Sequence, residues 1–285
     1  LTADALRRLA ANLVDVVSED GAYRRVLSDD SGSNLIEVRQ LGERVLRLRT
    51  TGSRPERWTA TVGSMLGTEV SLADWNDRVK AFPWLARLTE RLRGMHPPRY
   101  PSLWEALAHA IVFQQISIHA ASSIMRRAVQ TLSAPYEAEV GAIHPFFTPS
   151  QVLYASDETL RAVGLSANKV DHLRSAAAAV EDGVVSEELL AGLSSEEAAA
   201  KLVAVRGIGP WSAAVVLLRG LGRLDVFPLK DSGVARSLRE LSGDQDLDPA
   251  ALLEALGPVR GLLYFHLLLG RVRNLAPVSD DSGSA

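Results

Sequence analysis

Val203-Ala204-Val205-Arg206-Gly207-Ile208-Gly209-Pro210-Trp211-Ser212-Ala213-Ala214 is an apolar helix end that runs into Gly-Ile-Gly and a proline. Two glycines two apart let the backbone turn tightly through positive φ, and a proline at the first helical position needs no amide partner. The stretch therefore reads as helix, hairpin and helix, the second helix running to about Gly220. The free amides at that helix's N-terminus suit an anion such as a DNA phosphate. An ordinary αα-corner with a glycine turn reads the same way, so the hairpin alone leaves the choice open. The downstream segment narrows it: Asp225-Val226-Phe227-Pro228-Leu229-Lys230 is a short loop that delivers Asp231 to the start of a third helix.

Arg206 to Ala213, followed by Asp225 to Lys230 and Asp231-Ser232-Gly233-Val234, resembles the helix-hairpin-helix DNA glycosylases, and among them the 3-methyladenine (alkylation-repair) DNA glycosylase II branch. That family carries Pro-Gly-Ile-Gly-Pro-Trp-Thr-Ala, then Asp-Val-Phe-Pro-x-x-Asp-x-Gly with the catalytic aspartate. Arg206 stands where the family usually has proline. The likeness covers roughly residues 80–275. It implies that Asp231 is catalytic and that Arg206, Gly207, Gly209 and Ser212 meet DNA. It also implies that a sodium or potassium ion sits on the main-chain carbonyls of Val203, Val205 and Ile208.

Phe113-Gln114-Gln115-Ile116-Ser117 resembles the family's Gly-Gln-Gln-Val-Ser segment. A base must leave the duplex before its glycosidic bond can be reached, and a side chain props the gap. The resemblance places Gln115 at that wedge and Gln114 near the flipped base; both also read as helix-end glutamines bonding backbone. Trp211 stands where bifunctional relatives place a Schiff-base lysine. Tryptophan cannot do that chemistry, so hydrolysis without lyase activity is expected, with Trp211 walling the base pocket. Gly257 to His266 resembles the family's closing helix without its two tryptophans. Val215, Ser232 and Leu268 fall where aromatic residues are expected, and Phe113 and Tyr264 are the candidate replacements.

The chemistry asks for an anion beside an oxocarbenium-like sugar. At a helix N-terminus Asp231 is expected to be ionised. An alkylated purine such as 3-methyladenine or 7-methylguanine is already cationic, so its departure needs no strong general acid, and none lies near in sequence. The reading is a monofunctional glycosylase for such bases, acting in base excision repair as a monomer on double-stranded DNA with a damaged base. Two alternatives stay open. A non-catalytic helix-hairpin-helix DNA-binding protein would need the hairpin but not Asp231, and a glycosylase for deaminated bases would differ only in its pocket.

The fold class expected is α+β, mostly α. Residues 1–70 read as a small α+β domain with an antiparallel sheet, 71–275 as a helical region of two lobes with the cleft between them, and 276–285 as a flexible tail. Within the first part, 4–18 reads as an amphipathic helix, and Asn34 to Leu41, Arg44 to Thr50 and Trp58 to Val62 as strands. Ser102 with Glu105 reads as a capping box opening a helix from Leu103 to Gln115. Lys169 reads either as a phosphate contact or as an exposed helical lysine. The chain has no cysteine, which excludes disulfides and the four-cysteine iron–sulfur cluster of some relatives; no cofactor is required. The six histidines show no zinc-like pairing and read as structural. No apolar run reaches membrane length and no signal segment opens the chain, so a cytoplasmic protein is expected. The net charge of −3 disfavours a DNA binder as a whole. Residues 201–240 nevertheless hold Lys201, Arg206, Arg219, Arg223, Lys230, Arg236 and Arg239 against three acids, which predicts a basic face around the hairpin.

Overall fold

The computed structural model describes Thr2, Ala5 and residues 12–29, 32–52, 54–139, 141–229, 231–244, 247–273 and 275. Four antiparallel strands come first, in the order β1 (Val16–Val17), β2 (Tyr23–Asp29), β3 (Gly32–Gly42) and β4 (Val45–Thr50). Strands β3 and β4 lie where alternation places them. Strand β2 carries no such signal: Tyr23 to Leu27 are all buried, so no alternation marks it. The helix expected over 4–18 is corrected at its end, where Val16 and Val17 pair with Arg24 and Tyr23 as a strand; Leu6 and Leu9 lie outside the described residues.

The strand expected over Trp58 to Val62 is a helix. Pro55 opens a 3-10 turn, Pro55–Trp58, that runs into α1 (Thr59–Leu66). Trp58, Val62, Met65 and Leu66 recur at helical rather than strand spacing, and they pack on Tyr23, Leu27, Ile36 and Val38 of the sheet.

Helices come next: α2 (Ala73–Arg78), α3 (Pro83–Arg91), α4 (Leu103–Val112) and α5 (Ile118–Leu132). A two-stranded hairpin, β5 (Tyr136–Ala138) and β6 (Gly141–Ile143), precedes α6 (Pro149–Tyr154), α7 (Asp157–Ala162), α8 (Ala167–Glu181) and α9 (Glu187–Ala191). The chain closes with α10 (Ser195–Val203), α11 (Pro210–Arg219), α12 (Ser232–Ser242), α13 (Pro249–Leu256) and α14 (Gly261–Val272). The expected class holds: a small antiparallel sheet, then helices.

The helices bury two cores. One gathers α4, α5, α8, α10 and α11 around Leu107, Ile111, Leu173 and Leu202. The other gathers α2, α3, α12, α13 and α14 around Trp75, Leu85, Leu241 and Phe265. Helix α11 serves both: Val216 and Leu217 belong to the first and Leu218 to the second. Among the described residues no single helix is long and apolar enough to cross a membrane.

A buried polar group ties the sheet to α4. Ser102 caps α4 by accepting from the Glu105 amide at 3.2 Å. The Glu105 carboxylate does not close a capping box; it accepts instead from Arg25 of β2, which also donates to Asp15 at 2.7 Å. The Tyr23 hydroxyl donates to the same Asp15 oxygen at 2.6 Å. Two buried carboxylates thus share one guanidinium. Burial pushes Glu105 up to about 7, with Arg25 pulling against it. At Asp15 burial also raises, but Arg25 and the hydrogen bonds from Tyr23, Arg25 and Asn12 outweigh it and hold the carboxyl low.

Candidate active site

The hairpin forms where the sequence puts it. Helix α10 ends at Val203, and Gly207 takes φ +91. A Cβ on Gly207 would stand 2.2 Å from the His172 Cγ of α8, so this position needs both the conformational freedom and the missing side chain. Gly209 caps α11, and Pro210 opens it as expected. Ile208 and Val205 are buried and seat the hairpin, whereas Val203 is exposed. Arg206 is exposed and meets Asp171 at 3.3 Å.

Asp231 is the N-cap of α12. Its Oδ1 accepts from the amides of Gly233 at 2.8 Å and Val234 at 3.0 Å. Its Oδ2 accepts from the Trp211 Nε1 at 2.9 Å. Both oxygens are therefore held by N–H donors, the set an acceptor-only carboxylate needs. The indole joins the hairpin to the aspartate, and both residues are half-buried. The arrangement holds a carboxylate at a helix N-terminus, which suits stabilising a developing cation.

Helix α4 ends at Val112, short of the expected Gln115. Lys169 of α8 reaches its end, donating Nζ to the carbonyls of Val112 at 2.6 Å and Gln114 at 3.0 Å. Lys169 is thus half-buried and not an exposed lysine; burial lowers its pKa. Gln115 then takes φ +56, unique among described non-glycine residues, and stands exposed beside an exposed Ile116. A non-glycine residue in that region is uncommon and marks a constrained site. Gln114 turns inward, its Nε2 donating to the Gly207 carbonyl at 2.9 Å and the Ser212 hydroxyl at 2.7 Å. The turn Phe113 to Gln115 is thereby fastened to the hairpin, and Ser212 is buried beneath it.

The remaining candidates lie further apart. Phe113 is half-buried against the first core, with the His109 ring at 5.8 Å. Tyr264 is buried in the second core, edge-on to Phe265 at 5.5 Å. The expected basic face is thinner than its sequence. Arg219 is fully buried, its guanidinium 4.5 Å from the Tyr100 ring centre. Arg223 donates to the carbonyls of Leu190 and Leu193 at 3.0 and 2.8 Å, closing the end of α9. Lys230 lies outside the described residues. Among the described residues no group of three or more histidines, aspartates or glutamates could hold a metal ion.

A protein-family model described as HhH-GPD superfamily base excision DNA repair protein matches residues 108–258, which take in the Gln114 turn, the hairpin and Asp231. The chain belongs to the HhH-GPD superfamily. Relatives include the probable bifunctional transcriptional activator/DNA repair enzyme AlkA of Mycobacterium tuberculosis, 28% identical over 237 residues, which span 82% of this chain and 47% of that protein. The chain thus spans about half the length of that relative. The DNA-3-methyladenine glycosylase of Bacillus subtilis is 24% identical over 231 residues, 78% of this chain and 76% of the relative. Among solved HhH-GPD structures, the 3-methyladenine DNA-glycosylase from Archaeoglobus fulgidus superposes with a TM-score of 0.80 at 26% identity, covering 95% of this chain and 93% of that one.

Proposed function

We propose that this chain is a monofunctional DNA glycosylase that hydrolyses the N-glycosidic bond of alkylated bases of the 3-methyladenine and 7-methylguanine type, acting as a monomer on double-stranded DNA. The observation that carries the reading is the Asp231 carboxylate, held on both oxygens by the Trp211 indole and two α12 amides beside the hairpin. The names of the relatives support the substrate class.

In this reading the hairpin grips the backbone, and Gln115, at the exposed tip of its fastened turn, enters the gap left by the extruded nucleotide. As the bond to the cationic base lengthens, positive charge grows on the sugar, and Asp231 lowers its energy by charge alone. The base leaves neutral with the electron pair of the broken C–N bond, water adds at the anomeric carbon and its proton passes to solvent, so no general acid is called for. Trp211 occupies the place of a Schiff-base lysine and is itself hydrogen-bonded to Asp231, which supports hydrolysis without strand cleavage. The main-chain oxygens of Val203, Val205 and Ile208 are neutral hard donors that suit a sodium or potassium ion. Val205 O already accepts from the Ile208 amide at 3.0 Å and keeps a second lone pair. Such an ion would add positive charge for a DNA phosphate. The division at about residue 70, into an N-terminal α+β part and the helical region that carries this site, belongs to the same proposal.

The test is base release from methylated duplex DNA by the wild type and by Asp231→Asn, reading free 3-methyladenine and 7-methylguanine separately and strand breaks before and after alkali. The asparagine would set an NH2 against the Trp211 N–H or the α12 amides and would carry no charge. Release should fall by at least about 10²-fold with DNA binding retained, and breaks should appear only after alkali. No release by the wild type would overturn the assignment and leave a deaminated-base glycosylase or a binding protein.

A further inference from the structure

Arg271 sits in the last turn of α14, exposed, with its guanidinium over the first turn of α12. A Cβ built on Gly233 would stand 2.7 Å from the Arg271 Nη1 and 3.1 Å from the Asp231 Oδ1. Cation and carboxylate therefore flank one methyl-sized gap that only glycine leaves open. They do not form an ion pair: the Asp231 oxygens are held by Trp211, Gly233 and Val234, and Arg271 makes no hydrogen bond or ion pair among the described residues.

An arginine stays charged at any working pH. A bare guanidinium beside a site that stabilises a sugar cation would repel that cation, and would repel a cationic alkylpurine equally. The position makes sense only if an anion arrives with the substrate. Every extruded nucleotide brings one, because a phosphodiester lies on either side of its sugar. A guanidinium fork matches two phosphate oxygens at once.

We propose that Arg271 binds the phosphate next to the extruded nucleotide, holding its sugar against Asp231. This substrate-binding role rests on the glycosylase reading above. The bound phosphate cancels the guanidinium's repulsion, so the sugar cation meets Asp231 as the dominant nearby charge. A nucleotide that is not extruded leaves its phosphate out of reach, and the arginine then works against the reaction.

The test uses the full chain and duplexes carrying a tetrahydrofuran abasic analogue at the lesion position, with native phosphates or with an uncharged methylphosphonate on one flank or the other. Binding is read by fluorescence anisotropy as a function of salt. Arg271→Gln should weaken binding to the native duplex about tenfold, the scale of one charge-assisted contact. Its log–log salt slope should fall by about 0.9. Arg271→Lys should recover part of the loss. One methylphosphonate should cost the wild type the same factor and cost Arg271→Gln nothing further. Independent, multiplying losses in that cycle would overturn the proposal, as would unchanged binding with a change in base release confined to one lesion, which would assign Arg271 to the base. The residue is exposed, so thermal melting should be unchanged and serves as the folding control. The abasic duplex requires no turnover. Phosphate coupling without base release by the wild type would sink the glycosylase reading alone, and base release without coupling would sink this proposal alone.

Discussion

Asp231 and Glu105 are both carboxylates in or beside the first turn of a helix, yet they sit in opposite surroundings. Asp231 is half-buried and has three N–H donors to itself. Glu105 is buried between the sheet and α4, and it shares one guanidinium with Asp15. Dedicated neutral donors leave a carboxylate's charge uncancelled and pointed at whatever enters. A shared cation in a dry contact makes the carboxylates a fastening whose charge is answered from within. The difference teaches that the partner set, more than the residue type, decides whether an acid does chemistry or holds parts together.

The contrast can be broken from either side. The largest effect is expected from Arg25→Met, which removes the guanidinium that the two buried carboxylates share and should cost about 3–5 kcal/mol of stability. Urea unfolding checks the loss of the shared guanidinium, and the kcat of the folded fraction should stay at the wild-type value; a kcat loss with full stability would erase the distinction.

Next in size is Glu105→Gln, read as stability against pH. The Glu105 pKa is raised in the fold to about 7 from 4.5, so the folded protein binds more protons than the unfolded chain between those values. Its contribution is fully present below about 4.5 and is lost as pH rises through about 7, on the order of 3 kcal/mol. His266 acts in the opposite sense: burial lowers it to about 4 from 6.5, and its contribution is lost as pH falls through that window. Thermal melts from pH 4 to 8 should therefore show Glu105→Gln losing the decline on the alkaline side while keeping the one on the acid side. A variant curve parallel to the wild type would rule out Glu105 as its source.

The smallest effect on stability is expected from Trp211→Phe, which removes one donor from Asp231 Oδ2. Hydrogen bonds to charged groups contribute about 1.5–3 kcal/mol, so kcat should fall about ten- to a hundredfold. Melting should move little, because the indole is only half-buried. A rise in KM alone, with kcat intact, would mean that the indole only walls the pocket.

The hairpin and the Asp231 cap are legible in the sequence because their signals are local. Gly207, Gly209, Pro210 and Asp231 each do what their own backbone chemistry dictates, and the hairpin and cap form within a few residues. What escapes such a reading depends on distant partners. Lys169 reads as a surface lysine until the carbonyls of Val112 and Gln114 are beside it, and Gln114 reads as a helix-end amide until Gly207 and Ser212 are. Arg219 and Arg223 count toward a basic face from charge alone, but one is buried against Tyr100 and the other closes α9. Strand β2 escapes for the reverse reason: burial on both faces removes the alternation that announces a strand. Trp58 to Leu66 misleads because its first few residues fit either period, and Met65 and Leu66, just beyond them, decide it.

Helix α11 faces both cores, with Val216 and Leu217 in one and Leu218 in the other, where a Cβ on Gly261 at the head of α14 would meet the Leu218 Cδ1 at 2.6 Å. The same helix begins at the hairpin. The two cores are consequently not modules that evolution or an engineer can exchange separately: cutting one away strips α11 of part of its packing. The hairpin and the helix that spans both cores are inherited together, and variation that retunes the site must come through side chains around it.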